Sequence, residues 1–184
     1  MSIHNYFSDC YVLVNTRDKK VVLQFLNHFL SEIIELSDKY EIPQYSKNHD
    51  QKLISMYELL EFLENKNDEP YYISWKGLLL KDFPFKTVQV CPEEIKSIKQ
   101  IVENHFLCMA TYTNDGKMIL GISCPTMEPD TRIEDYYFSK LKEFANSEIG
   151  YITYEQPATN NSAKFTEIAE KWSKDRTYWE NIND

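Results

Sequence analysis

Residues 106–124, FLCMATYT-NDG-KMILGISC, decide the fold that the sequence predicts. Two runs of strand-forming residues, 106–113 and 117–124, flank the Asn-Asp-Gly segment 114–116. An Asp-Gly pair readily adopts the positive φ angles that both central residues of a two-residue type I′ turn require. The stretch therefore predicts a β-hairpin with a type I′ turn.

The second strand of this hairpin shows the alternation of a strand with one buried face. In residues 118–124 the even-numbered positions are apolar, and the odd-numbered positions are small or mixed. Gly121 stands in the middle of the run. A glycine inside a strand often marks a bulge or a close approach to the backbone, so we expect one of these at Gly121.

The segments around the hairpin extend it into a larger unit. Residues 86–90 predict a strand, and residues 92–105 predict a helix with Pro92 in its first turn. After the hairpin, residues 131–146 predict a second helix, and residues 149–155 predict a strand. The βαββαβ order over residues 86–155 is that of the ferredoxin-like fold. It predicts an α+β fold in which an antiparallel sheet carries its helices on one face.

The N-terminal part and the C-terminal helix complete the predicted organisation. Residues 1–80 read as strand, helix, short strand, helix and strand, a βαβαβ-type extension of the core. Residues 162–174 predict a C-terminal helix. A length of 184 residues fits one domain spanning 1–184, with these three parts as subregions. We find no sequence repeat between the two halves and infer no duplication.

Composition narrows the classes of function. The net charge of −9 disfavours nucleic acid as a partner, because binding to phosphates needs a positive surface. An acidic protein with thirteen Tyr and ten Phe is compatible with a basic protein partner. No apolar run approaches the length of a membrane span, and the N-terminus lacks the pattern of a signal peptide. We therefore expect a cytoplasmic protein without a membrane partner.

The four cysteines lack the spacing of a zinc site, and we expect reduced thiols. Cys91 is the candidate reactive thiol, because it precedes a helix N-terminus, where the pKa of a thiol is lowered. His105 lies at the far end of the same predicted helix, roughly 20 Å away, and cannot activate Cys91. Packing, or a thiol that caps the helix, is the alternative. We expect Cys108 and Cys124, in the hairpin strands, to be packing residues.

Carboxylates and tyrosines around the second predicted helix supply the other candidates. Four acids lie within eight residues, and paired carboxylates can bind a hard cation or act as acid and base. The alternative is helix capping, which accounts for Asp130 and Glu134. In the last strand, Tyr151 and Glu155 share one face, and tyrosine is enriched at binding interfaces. The candidate binding residues are Glu128, Asp130, Asp135, Tyr136, Tyr151 and Glu155.

These observations support two hypotheses of function and leave a third open. The first is a non-enzymatic interaction module of immunity or antitoxin type, which would mask a basic partner and present an acidic, aromatic patch. The second is a small-ligand-binding or enzymatic domain with a pocket on the sheet face that the helices leave open. The third is a dimer paired through an exposed sheet edge. We predict no catalytic residue, metal or cofactor, because the chain contains no phosphate loop and no motif of a nucleophile or a zinc protease.

Overall fold

The structure is a computed structural model that describes residues 6–33, 40–41, 53–79, 106–126 and 132–176. Within these ranges the fold is α+β, as the sequence predicts. The helices are α1 (Lys19–Phe29), α2 (Met56–Glu64), α3 (Arg132–Ala145) and α4 (Ser162–Lys174). The strands are β1 (Tyr6–Val14), β2 (Leu30–Ile33), β3 (Tyr40–Glu41), β4 (Leu53–Ile54), β5 (Tyr71–Leu79), β6 (Leu107–Tyr112), β7 (Met118–Thr126) and β8 (Gly150–Tyr154).

One six-stranded antiparallel sheet organises the described residues. Its strands lie in the order β2-β5-β6-β7-β1-β8, and β3 and β4 form a separate two-stranded pair. The predicted hairpin is present as β6 and β7. Among the described helices, none combines the length and the apolar character needed to cross a membrane.

The strand between the hairpin and β8 comes from the N-terminus. The predicted strand 86–90 and helix 92–105 lie outside the described residues, and the ferredoxin-like order over 86–155 is not confirmed. That order places residues 86–90 between β7 and β8, but β1 pairs with both of these strands instead. The run of residues 10–14 is almost wholly apolar and is buried, as expected for a strand with a neighbouring strand on each side. β1 therefore lies inside the sheet, whereas β5 and β2, which also belong to residues 1–80, extend the sheet beyond β6.

The hairpin turn is not the type I′ turn that the sequence predicts. Of its residues only Gly116 has a positive φ, at 81°. The Thr113 amide donates to the Lys117 carbonyl at 3.0 Å, which closes a three-residue loop over 114–116. Loops of this length carry one left-handed residue, and glycine adopts that conformation without strain.

Tertiary contacts explain why the longer turn forms. The Asn114 amide donates to the Asn160 carbonyl at 2.9 Å, just before α4 begins. The Asp115 carboxylate accepts a hydrogen bond from the Ser162 hydroxyl in the first turn of α4. The turn therefore anchors the N-terminus of α4, which lies 47 residues further along the chain than the residues it binds.

Three helices cover one face of the sheet, which we call the helix face. The Cys10 thiol on β1 donates to the Glu134 carbonyl of α3 at 3.5 Å. On β5 the Trp75 indole donates to the sulfur of Met56 in α2 at 3.0 Å. α1 joins the same layer, because the rings of its Phe25 and Phe29 lie 5.8 and 6.1 Å from Phe144 of α3. Alternation then directs odd-numbered residues of β1, such as Asp9 and Tyr11, to the other face, which we call the open face.

The fourth helix packs along the outer edge of the sheet, beside β8. Its Phe165 ring lies 4.6 Å from the Tyr151 ring on the open face. Its Trp172 ring reaches Phe138 of α3 at 5.4 Å. α4 therefore protects edge strand β8 and covers the open face only near that edge.

A buried arginine, which the sequence analysis did not single out, joins the hairpin to α2. Arg17 is 3% exposed and donates to the carbonyls of Leu63 at 3.0 Å and Glu69 at 2.7 Å. It also donates to the Thr113 carbonyl and lies 5.3 Å from the centre of the Tyr112 ring. The guanidinium thus donates to carbonyls of two segments that are far apart in sequence, residues 63–69 and the hairpin.

Candidate functional site

A cavity of about 450 Å³ lies on the open face, where the described helices leave the sheet uncovered. We call it the open-face cavity. Its lining combines polar side chains with apolar and aromatic ones, and comprises Phe7, Asp9, Tyr11, Tyr72, Lys76, Leu107, Met109, Ser123, Glu155 and Pro157. A concave site that mixes an apolar lining with a few polar groups is the usual form of a ligand-binding site.

The strand register sets the long direction of this cavity. Asp9 on β1 lies opposite Ser123 on β7, Ser123 lies opposite Leu107 on β6, and Leu107 lies opposite Lys76 on β5. Neighbouring strands are about 4.8 Å apart, so three spacings separate the Cα atoms of Asp9 and Lys76 by roughly 14 Å. The cavity therefore has an acidic end at β1 and a basic end at β5.

The floor of the cavity depends on Gly121. A Cβ at this position would lie 2.6 Å from Cε1 of Tyr11 and 3.0 Å from Cε of Met109. The close approach expected at Gly121 is thus confirmed, and the approaching group is the Tyr11 ring. Since Gly121 has no side chain, the Tyr11 ring can pack directly against the β7 backbone.

Pro157, in the segment 156–160 that connects β8 to α4, forms part of one wall of the cavity. The Tyr11 hydroxyl donates to the Gln156 carbonyl at 3.1 Å, and Tyr151 has a backbone hydrogen bond with Thr159. The Tyr11 and Tyr151 rings meet edge to face at 5.8 Å. A second cavity of about 650 Å³, lined by residues 156–160, shares Tyr72 and Pro157 with the first. Two buried tyrosines thus fix the connection that divides the two cavities.

Asp9 is the buried carboxyl of the open-face cavity, with 8% of its surface exposed. Burial raises its pKa from 3.8 to about 6, because a charged carboxylate loses hydration there. A hydrogen bond from Ser123 lowers the pKa, and the charge of Glu155 raises it. A carboxyl with this pKa can gain or lose a proton near neutral pH, as a general acid or base must.

Glu155 brings a second carboxylate to the acidic end. It follows β8 with a φ of 53°, a left-handed conformation that is uncommon for residues other than glycine. Its amide donates to the Phe7 carbonyl at 3.3 Å, which holds it beside β1. Glu155 is the candidate from the sequence that lies in the open-face cavity.

The other described candidates from the sequence lie elsewhere. Tyr151 is 1% exposed and lines the second cavity beneath Phe165 of α4. Asp135 and Tyr136 belong to α3, on the helix face; the Asp135 carboxylate pairs with Arg176 at 2.5 Å, and Tyr136 is 37% exposed. The structure therefore separates these candidates into two groups. Three further candidates, Glu128, Asp130 and Cys91, lie outside the described residues.

Glu134, which the sequence assigns to helix capping, also takes part in a buried network on the helix face. It is 3% exposed, and its carboxylate accepts hydrogen bonds from the Ser8 hydroxyl and, at 3.3 Å, from the Tyr154 hydroxyl. The carboxylate of Glu134 thus ties α3 to β1 and β8.

The described cysteines pack in the core below the same helix. Cys10, Cys108 and Cys124 are buried and form no disulfide; for Cys108 and Cys124 this agrees with the packing role expected from the sequence. Burial raises the pKa of the Cys10 and Cys108 thiols, which keeps them protonated and unreactive. In the parts of the chain that the structure covers, no group of three or more His, Cys, Asp or Glu is arranged to hold a metal ion.

Asp9, Ser123 and Lys76 line the cavity but were not predicted from the sequence. One signal was available: Asp9 is the charged residue in an otherwise apolar and small run, and it alternates with Phe7 and Tyr11 on one face. An isolated acid in such a strand is buried or lines a cavity. The partners of Asp9 could not be read from this signal, because they come from strands more than 100 residues away.

Comparisons with known proteins add no assignment to this geometry. No family model matches the chain, and neither the curated proteins nor the solved structures contain a match.

Proposed function

We propose that this protein binds a small ligand in the open-face cavity. The observation that carries the proposal is the convergence of Asp9, Ser123 and Glu155 on one end of a concave, partly aromatic site. The volume of about 450 Å³ lies within the usual range for ligand pockets. Binding fits a cytoplasmic protein, the location that the sequence predicts, and it requires no catalytic step.

The rigid surroundings of the cavity support the proposal. Buried tyrosines hold the wall at residues 156–160, and the Tyr11 ring is fixed against Gly121. A site that is preformed in this way loses little conformational entropy when a ligand binds. The described elements around the cavity therefore favour binding over a structural role for the open face.

A second candidate is the interaction module with a basic protein partner. The observation that favours it is Tyr72, which is 51% exposed at the boundary of the two cavities and in the same lining as Glu155. Tyrosine is frequent among the residues that dominate binding energy at interfaces. In this candidate a lysine or arginine side chain of the partner enters the cavity. The protein would then mask a basic partner, as an immunity- or antitoxin-type protein does.

Fragment binding to the full chain tests the first candidate. A library of cationic, anionic and neutral aromatic fragments is titrated into ¹⁵N-labelled protein and followed by amide chemical shifts. We expect the shifts to cluster at Phe7, Asp9, Ser123 and Glu155. A variant that fills the cavity, Leu107→Trp, should lose this binding, because Leu107 lies in the middle of the row across the floor.

The matched control is Tyr57→Trp, which places the same indole on α2, where Tyr57 is 52% exposed. This variant should bind fragments as the unmodified protein does. Fragment binding that is absent, or that survives in Leu107→Trp, would refute a ligand site in the open-face cavity.

A further inference from the structure

We propose that the acidic end of the open-face cavity binds a cationic nitrogen, a primary amine or a guanidinium, carried by an aromatic or apolar group. This inference rests on the proposed function and names the chemistry of the ligand. It follows from the position of two carboxyls, Asp9 and Glu155, beside the rings that line the cavity.

The first observation is that Asp9 is a buried carboxyl at the cavity surface. More than nine-tenths of this residue is buried, yet its side chain lines a cavity. Ser123 supplies one hydrogen bond, whereas a carboxylate can accept about four. A cationic nitrogen carries several N–H donors and can fill the remaining positions with charge-assisted hydrogen bonds.

The charges around Asp9 also favour a cationic ligand. From the segment that follows β8, Glu155 adds a second negative charge that raises the pKa of Asp9. The phenols of Tyr11 and Tyr72 also face Asp9. The amine of Lys76 is attached at the other end of the row, roughly 14 Å away between Cα atoms. A ligand cation between the carboxyls would relieve their repulsion.

The rings of Phe7, Tyr11 and Tyr72 supply the second half of the recognition. They line the same cavity as the two carboxyls. The faces of aromatic rings attract cations, and more strongly where water is excluded. An aryl or alkyl amine would place its nitrogen at the carboxyls and its apolar part against these rings and Leu107.

Three probes of nearly the same shape separate charge from shape: phenethylamine, 2-phenylethanol and phenylacetate. Each is titrated into the full chain at pH 7.5 and followed by amide shifts. We expect the amine to bind at least about tenfold more tightly than the alcohol and the acid, which is about 1.4 kcal/mol. The shifts should centre on Asp9, Ser123 and Glu155.

Two variants and one control test the residues. Asp9→Asn and Glu155→Gln should each weaken amine binding by about tenfold or more and leave alcohol binding unchanged, since only the charge is removed. Glu155 is exposed, so its replacement leaves the core intact. Glu61→Gln, on α2 of the helix face, removes another exposed carboxylate and should leave amine binding unchanged.

The pH dependence gives an independent readout. The pKa of Asp9 is about 6, so below pH 6 the free protein holds this carboxyl protonated and neutral. Amine affinity should therefore fall by about tenfold between pH 7.5 and pH 5, and the Asp9→Asn variant should lack most of this fall. An affinity that is flat in pH would contradict the assignment of the cation to Asp9.

The source of the cation is decided by a second ligand series. Phenethylamine represents a free amine, and an acetylated tetralysine peptide represents a basic protein partner. Tight peptide binding at the same residues favours a partner side chain, and selective binding of the small amine favours a metabolite. Equal binding of amine, alcohol and acid overturns the inference but leaves the proposed ligand site standing, whereas no binding of any probe or peptide overturns both.

Discussion

Replacing Gly121 by alanine tests how the floor of the open-face cavity is built. The new Cβ would lie 2.6 Å from the Tyr11 ring, a distance at which one group must move. Moving the ring would cost free energy, because its hydroxyl donates to the Gln156 carbonyl at 3.1 Å and its centroid lies 5.8 Å from that of the Tyr151 ring. We therefore expect Gly121→Ala to destabilise the protein.

The magnitude follows from two opposing effects. Forcing extra volume into a packed core costs typically about 1–3 kcal/mol. Alanine restricts the unfolded chain more than glycine does, which returns about 0.5–1 kcal/mol. The net loss in the free energy of unfolding is about 1–2 kcal/mol. With a urea slope of about 2.5 kcal/mol per molar, the unfolding midpoint falls by roughly 0.6 M.

A double-mutant cycle with Tyr11→Val identifies the cause of this loss. Valine keeps a β-branched residue in β1 but removes the ring atoms that a Cβ at residue 121 would meet. In the Tyr11→Val background, Gly121→Ala should be neutral or stabilising, so the two changes should couple by about 1–2 kcal/mol. A midpoint that is unchanged by Gly121→Ala alone, or the same loss in both backgrounds, would refute the steric explanation.

Three more substitutions test other contacts by urea unfolding. Gly150→Ala should cost more than Gly121→Ala, because its Cβ would lie 2.4 Å from the Tyr11 carbonyl, a backbone atom that cannot rotate away; an equal or smaller cost would contradict this. Arg17→Lys should lose about 2–4 kcal/mol, since a lysine cannot reach three carbonyls, and a loss below 1 kcal/mol would show that the hydrogen bonds of Arg17 matter little. Asp9→Asn should raise stability above pH 6. Because the folded-state pKa of Asp9, about 6, exceeds the unfolded value of 3.8, the free energy of unfolding of the unmodified protein falls by about 3 kcal/mol as pH rises from 3.8 to 6. A gain in stability that is equal at pH 4 and pH 7.5 would contradict the raised pKa.

The hairpin could be predicted from the sequence because its information is local. Turn residues and the alternation of residues 118–124 suffice to specify two adjacent strands. The type of turn could not be predicted in the same way. Asp-Gly is compatible with both a two-residue and a three-residue loop, and contacts from Asn160 and Ser162 accompany the longer one.

The neighbours of β1 illustrate information that is not local. The pattern of residues 11–14 indicates a buried strand, and the structure contains one. It does not indicate which strands flank it, because any apolar strand would bury the same side chains equally well. The pairing of β1 with β7 joins residues more than 100 positions apart. The ferredoxin-like order therefore predicts residues 86–90, which are nearer in sequence, between β7 and β8.

The candidate site shows the same limit. Glu155 can be predicted from the sequence, because alternation along residues 149–155 places it on the same face as Tyr151. Asp9 acquires its meaning only when β1 lies between β7 and β8, which brings Ser123 and Glu155 to it. Sites built from several strands depend on topology, and their residues carry no spacing pattern in sequence.

Asp9 lowers the stability of the folded protein at neutral pH, and this cost supports a functional role for its carboxyl. A carboxyl held at a pKa of about 6 by burial destabilises the folded protein at neutral pH, and asparagine would keep the hydrogen bond with Ser123 without that cost. Groups that are unfavourable for folding and face a cavity are characteristic of binding and catalytic sites, because the ligand supplies the missing interaction. Asp9→Asn should therefore separate the two properties: the variant is the more stable protein and the weaker binder of an amine. A variant that gained stability and kept the full amine affinity would place the cation elsewhere in the cavity.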